Sequence, residues 1–447
     1  MIAPPHAMPP RAGHTIFLKG SMVRSLVPVS ALLFSMAILL VGQGLQNTLL
    51  PIRADLEAYS DLAIGGMGSA YFFGFLLGCV LGPYLVRRVG HIRTFAALAA
   101  TASAAPLVHA VILEPFTWSL LRMVTGFCFA GLYMVIESWL NERATSKTRG
   151  GVLAAYNIVN LTALMGGQVI IAFMNPGQFA VFAVASILLS IALVPVSLTT
   201  STQPAPIESV KLDIERLWQV SPVGIASALA VGLANGSFWT LGPVFAAGHG
   251  FDVPGTAVYM SAVILGGAVL QWPLGRLSDR MDRRFVISGG FFTAGLAGLF
   301  LFFASSGLLG TVFAAHPAIL VGGFLFGAFA MPTYAVAVAH LNDRLDEHEF
   351  VTAASGLLLI YGTGAMVGPI AAAVVTQLIG GAGLFAFTFV IHMLTSAYVV
   401  YRIGIARPVS AGERGEFVVV TRSSPEAVVL DPRADERSES DAENVAT

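Results

Sequence analysis

Charge is what this 447-residue sequence has least of: Asp, Glu, Lys and Arg together make up 11% of it, less than half of the roughly 25% of a soluble domain. With 56% apolar residues and a mean hydropathy of +0.78, the chain reads as an integral membrane protein. Cysteine is nearly absent. Cys79 and Cys128 both fall inside long apolar runs, where they suit small-residue packing and not a disulfide framework or a zinc cluster. Only three lysines occur, Lys19, Lys147 and Lys211, and no Gly-x-x-x-x-Gly-Lys-Ser/Thr run exists to cradle a nucleotide. ATP is therefore excluded as the direct energy source. No cofactor or metal is implied, no enzymatic reaction is expected, and a net charge of −1 offers nothing to nucleic acid. Short alternating segments are also missing, which excludes a membrane barrel.

What is present is long continuous apolar runs, and only helices carry such runs through hydrocarbon. At about 20 residues per span, twelve fit, near 25–50, 62–85, 94–113, 117–139, 151–174, 179–198, 223–245, 257–276, 285–304, 317–340, 352–378 and 383–403. The first run is too long for a signal segment and is expected to stay as span 1. Of the 24 Lys and Arg, Arg53 falls in a loop on one side, Arg122 lies inside a span, and the other 22 fall on the side that holds both termini. By the positive-inside rule that side is the cytoplasm, so a multi-pass protein of the cell inner membrane is expected.

The runs are duplicated. Residues 43–51 align with 235–243, keeping Gly44/Gly236, Thr48/Thr240, Leu49/Leu241 and Pro51/Pro243 in register. Leu140-Asn-Glu-Arg143 returns as Leu341-Asn-Asp-Arg344, and the same offset carries Gly126 onto Gly327, Tyr133 onto Tyr334 and Gly167 onto Gly368. A duplicated apolar unit is the build of many transporters, whose substrate sites lie between the halves near the bilayer midplane. The fold class that follows is an all-α membrane protein of two six-helix bundles, at 25–198 and 223–403. A cytoplasmic segment 1–24 precedes them and a polar linker 199–222 joins them. The tail 404–447 ends in a charged stretch, residues 431–443, that cannot bury a core, and it is expected to be disordered. Small residues recur every fourth position in span 2 (Gly66, Ala70, Gly74, Gly78, Gly82) and more briefly in span 11 (Gly364, Gly368, Ala372). Such a stripe serves either a sliding surface between the halves or plain bundle packing.

Between spans 8 and 9 the chain reads Gly275-Arg-Leu-Ser-Asp279-Arg280-Met-Asp282-Arg283-Arg284. This resembles the loop signature of the major facilitator superfamily, at the place of its second copy. The first copy, Arg87-Arg88-Val-Gly90-His91-Ile-Arg93, carries Arg87 where that family has an aspartate. Arg122 four residues before Gly126 resembles a second signature, and residues 89–95 and 134–144 resemble the YcaD-like branch of the superfamily. The resemblance implies alternating access, a small-molecule substrate, proton coupling, a monomer in the lipid bilayer, and a central cavity lined by spans 1, 4, 7 and 10. It also implies gating by Arg88, Gly90, His91 and Arg93 on one loop and by Gly275, Asp279, Arg280 and Arg283 on the other.

Arg122 is the strong base inside a span, and an arginine at membrane depth costs roughly 2.5–3.5 kcal/mol on insertion scales. It shares a helical face with Gly126 and Tyr133. Binding an anionic substrate group would offset the cost, and so would snorkelling to the interface. Gln43, Gln46 and Asn47 cluster on span 1, opposite Asn235 and Trp239 of span 7. That mix suits an amphipathic organic solute, and Tyr133, Asn160 and Tyr334 complete the candidate cavity. Span 5 adds Asn157 and Gln168 on the face of Asn160, with interhelical hydrogen bonding as the alternative. Glu137 is read at the terminus-bearing end of span 4, in an ion pair with Arg88, His91 or Arg93 that closes a gate. No acid is evident deep in a span, although one coupled proton would be driven by about 2.3 kcal/mol per 100 mV. A secondary transporter of a small organic solute is the reading that follows. An exporter, an uncoupled facilitator, or a receptor that moves nothing remain open beside it.

Overall fold

The computed structural model describes residues 29–145, 148–198, 204, 213–306, 312–345, 349–410, 414–419 and 422–424. The expected segments 1–24 and most of 199–222 lie outside them. Twelve helices among the described residues are long and apolar enough to cross a membrane. They are α1 (Ser30–Leu56), α2 (Asp61–Val89), α3 (His91–Val111), α4 (Pro115–Arg143), α5 (Arg149–Ala172), α6 (Phe179–Ser197), α7 (Pro222–Gly248), α8 (Val253–Arg280), α9 (Arg283–Ser305), α10 (Val312–Ala330 continued by Thr333–Asn342), α11 (Phe350–Ile379) and α12 (Gly383–Ile405). In the linker, Ile214–Val220 forms a short helix whose Leu217 is buried.

Local chemistry sets the starts of these helices. Ser60, Ser221, Asp252 and Asp282 each accept a backbone N–H of the first turn, which satisfies donors that a helix cannot pair itself. Glu114 does the same for Phe116 and Thr117 at 2.8 and 2.5 Å, and these amides hold its carboxyl below the usual carboxylate range. Between α2 and α3, Gly90 has φ +85°, a conformation that only glycine adopts without strain. The ends were harder to read. Span 1 was expected to stop at residue 50, before Pro51, yet α1 continues to Leu56 with Pro51 inside it. Bundled membrane helices tolerate such prolines because neighbours satisfy the freed carbonyls.

The glycines that mark the sequence repeat mark the packing too. A Cβ on Gly44 would stand 2.5 Å from the Leu164 carbonyl oxygen of α5, and one on Gly236 2.5 Å from that of Ala365 on α11. Gly126 likewise meets the Tyr71 carbonyl of α2, and Gly327 meets that of Val263 on α8. The two bundles are thus built by the same backbone contacts. The small-residue stripes serve this internal packing: Gly74 and Gly78 lie on the Met123 and Phe127 carbonyls of α4, and Gly364 and Gly368 on those of Leu229 and Leu233 of α7.

The halves meet along α2 against α11 and along α5 against α8. Away from the termini they touch closely, where the Gly65 position stands 2.7 Å from both the Pro369 carbonyl oxygen and the Ala373 methyl, and Gly68 abuts Thr240. That end is shut. Because Gly126 has only backbone in front of it, Gly126→Val must push α2 from α4, and overpacking of this kind costs about 1–3 kcal/mol. A lowered melting temperature in detergent is the expected result, and an unchanged one would show that the helix pair gives freely.

Candidate substrate cavity

A cavity of about 220 Å³ lies between the halves. Seven of the nine expected residues line it: Gln43, Asn47, Arg122, Tyr133, Asn160, Trp239 and Tyr334. Two do not. Gln46 turns back to the Gly42 carbonyl of its own helix at 3.3 Å, and Asn235 is buried and absent from the cavity wall. Both side chains are buried, off the faces of α1 and α7 that carry Asn47 and Trp239 to the lumen. On α5, Asn157 joins Asn160 in the lining, whereas Gln168 bonds Thr48 at 2.8 Å and the Gly44 carbonyl at 3.0 Å.

The N-terminal half supplies the polar wall. The Arg122 guanidinium carbon stands 4.2 Å from the Tyr71 ring centroid, a cation–π contact. Gln43 donates to the Tyr71 hydroxyl at 2.8 Å and accepts from the Tyr133 hydroxyl at 2.5 Å. Each of these uncharged groups is therefore held in one orientation. No carboxylate forms an ion pair with Arg122 among the described residues, so its charge faces the lumen without a counterion. The close approach at Gly126 is what brings Tyr71 under that guanidinium. The C-terminal half supplies an aromatic wall, with Tyr334 and Tyr361 edge to face at 5.4 Å between centroids and Trp239 beside them.

Glu137 differs from its expected setting. Because α4 runs on to Arg143, Glu137 lies six residues inside the helix and is fully buried. Its described partners are hydroxyls: Tyr156 donates to it, and so do Ser423 and Ser424. Among the described residues no ion pair joins Glu137 to Arg88 or Arg93. Arg88 and Arg93 are exposed, and His91 meets Ser138 at 3.2 Å.

The other expected gate is an ion-pair hub confined to one half. Arg283 is fully buried and bonds Asp343 at 2.6 Å, Ser278 at 2.8 Å and Asp279 at 3.0 Å, while Arg280 stays exposed. Arg283 also donates to the Gly415 carbonyl of the tail. The tail, expected to be disordered from residue 404, is mostly exposed over 404–410 and engaged with the bundles within 414–419 and 422–424. Phe417 fills the space beside Gly275, Asn157 donates to the Val419 carbonyl at 3.2 Å, and Arg422 lies over Tyr334 and Tyr361 at 5.8 and 5.5 Å. The acidic composition of 431–443 masked an apolar stretch at 417–420 that can be buried.

Sequence reasoning missed Tyr71, Tyr361, Arg422 and Ser423 among the lining residues. Tyr361 was within reach, since the offset that carries Tyr133 onto Tyr334 also carries Asn160 onto Tyr361. Tyr71 gave a weaker signal, a lone hydroxyl in an apolar span that needs a partner there.

The family model of the Major Facilitator Superfamily matches residues 32–314 and 260–432. The chain belongs to that superfamily. Superfamily relatives include the uncharacterised MFS-type transporter YcaD of Escherichia fergusonii, 26% identical over 353 residues that cover 78% of this chain and 89% of the relative. An uncharacterised MFS-type transporter of Enterobacter sp. (strain 638) is 28% identical over 356 residues, with the same coverage. Among solved superfamily folds, a mutant of the nucleoside transporter NupG superposes with a TM-score of 0.71 at 10% identity, covering 84% of this chain and 99% of that one. A bacterial homologue of the lysosomal transporter Spinster, inward-facing and occupied, superposes with a TM-score of 0.70 at 15% identity, covering 90% and 99%. This protein is thus a twelve-span major facilitator superfamily transporter, similar in sequence to YcaD.

Proposed function

We propose that this protein is a secondary active transporter of a small organic solute bearing an anionic group, moved by alternating access between the two halves. The observation that carries this reading is the guanidinium of Arg122, facing the cavity with an aromatic face behind it and, among the described residues, no carboxylate in the cavity wall. A charge in such a place is costly unless a ligand compensates it. The cavity of about 220 Å³ lies below the roughly 300–1,000 Å³ of sites for drug-sized ligands, which favours a solute of metabolite size. Fixed hydroxyl and amide groups on one wall and aromatic rings on the other suit a ligand with a polar and an apolar side. Coupling to protons rests on Glu137, the one Asp or Glu fully buried within a span among the described residues. The clustering of basic residues on the terminus-bearing side supports cytoplasmic termini and an inner-membrane location.

Purified protein in liposomes, offered carboxylate- and phosphate-bearing metabolites, should show saturable uptake above empty vesicles, with accumulation when the lumen is made alkaline. Glu137→Gln should keep downhill flux and lose that accumulation. A solute gradient that never relaxes faster than in empty vesicles, across the whole panel, would reject the transporter reading in favour of a receptor.

A further inference from the structure

Residues 414–419 and 422–424 lie in the space between the halves on the face that carries the termini. At the entry, Gly415 donates to Asp343 at 3.2 Å and its carbonyl accepts from Arg283, both of the C-terminal half. Phe417 then takes the space that a side chain on residue 275 would need. The segment next crosses to α5, where the Val419 carbonyl accepts from Asn157. At its far end Arg422 lies over Tyr334 and Tyr361 of the C-terminal half, while Ser423 and Ser424 bond Glu137 of the N-terminal half. Tyr156 donates a further bond to Ser423 at 2.9 Å. Both serines are buried, and Arg422 and Ser423 belong to the cavity wall.

We propose that the mouth between the halves is a peptide-binding site, filled in cis by residues 414–419 and 422–424 of the tail, and that this segment is a plug which must leave before the halves can close on that side. Four features match a peptide there. A glycine leaves room for the Phe417 ring, an asparagine reads a backbone carbonyl, two tyrosine faces receive a guanidinium, and a buried carboxylate receives two hydroxyls. The contacts alternate between the two halves. A segment bonded to both holds them apart at this mouth while their opposite ends are shut at Gly65 and Gly68. The docked tail therefore selects one state of the alternating cycle and bars solute from that side, whatever the solute is. A charge placed on Ser423 or Ser424 would face the Glu137 carboxylate and expel the segment, because like charges in a buried site repel strongly.

The test uses the full chain in vesicles and needs no substrate. In a first arm, Asn157→Cys with Val419→Cys should form a disulfide under mild oxidation, since Cys79 and Cys128 are buried. In a second arm, the cavity-lining substitution Asn160→Cys is labelled with an impermeant maleimide from the terminus-bearing face. If the mouth is free only about a tenth of the time, release of the tail should speed labelling about tenfold. Two releasing variants are compared, Phe417→Asp and Ser423→Asp with Ser424→Asp, and both alter only the tail. Disulfide formation in the first arm together with faster labelling in both releasing variants is the expected result. Failure of the disulfide to form would overturn the docking. A disulfide that forms in a chain whose labelling rate is the same with and without the releasing substitutions would overturn the plug.

Discussion

Arg122→Ala should lose at least about 30-fold in affinity for an anionic solute, because truncating one partner of a buried charged pair costs roughly 2–5 kcal/mol. The fold should survive the change. Removing a buried cation is severe when it strands a buried acid, and no carboxylate pairs with Arg122 among the described residues. Its contact with the ring of Tyr71 accounts for about 0.5–2 kcal/mol. Arg122→Lys should recover part of the binding and not all of it, since a lysine keeps the charge but not the planar fork that grips a carboxylate or phosphate with two bonds. Asn157→Ala is the control on the same wall: its amide is engaged with the Leu153 and Val419 carbonyls and should matter little to an anion. Isothermal titration or ligand-induced thermal shifts on the four proteins decide the matter. Equal losses in Arg122→Ala and Asn157→Ala would mean that the cavity has no anion subsite at Arg122.

The number, type and pairing of the helices were legible because hydrophobic length and a repeated glycine pattern are written locally. Gly44 and Gly236, or Gly126 and Gly327, need no knowledge of the fold to be aligned, and the fold then uses each pair for the same backbone contact. Most of the cavity followed from that symmetry. What stayed hidden depends on one helix turn or on distant partners. Gln46 is one residue from Asn47 and Asn235 is four from Trp239, both lining positions, and helix rotation within the bundle decides which side an amide faces. Glu137 was misplaced because charged and polar residues at 141–143 suggested an earlier helix end. The engagement of residues 414–419 and 422–424 was invisible for a different reason. A short mixed-composition segment buries itself only if a mouth of matching chemistry already exists, and that mouth is assembled from α4, α5, α8, α10 and α11.

Arg283→Ala should be the most damaging of the gate substitutions, costing about 3–5 kcal/mol, because it leaves a buried partner charge without compensation. That partner is Asp343, whose side chain is only 2% exposed, 2.6 Å from the Arg283 Nε. Asp279 adds less to the loss, being 32% exposed and so largely repaid by water. Ser278 and the Gly415 carbonyl lose their donor in the same step, so the entry of the tail loosens along with the junction of α8, α9 and α10. The charge itself is not what the fold requires. Replacing both members, Arg283→Met with Asp343→Leu, should recover much of the stability, since an apolar pair of similar volume often equals a buried ion pair. Arg280→Ala, three residues earlier and exposed, should stay within about 0.5 kcal/mol of the parent. Melting temperatures of the four proteins in one detergent test this directly. Arg283→Ala melting with Arg280→Ala would place the strength of this junction in helix packing and not in the ion pair. A large loss in Arg283→Ala that the double replacement repairs would show that the stranded carboxylate is what unfolds it.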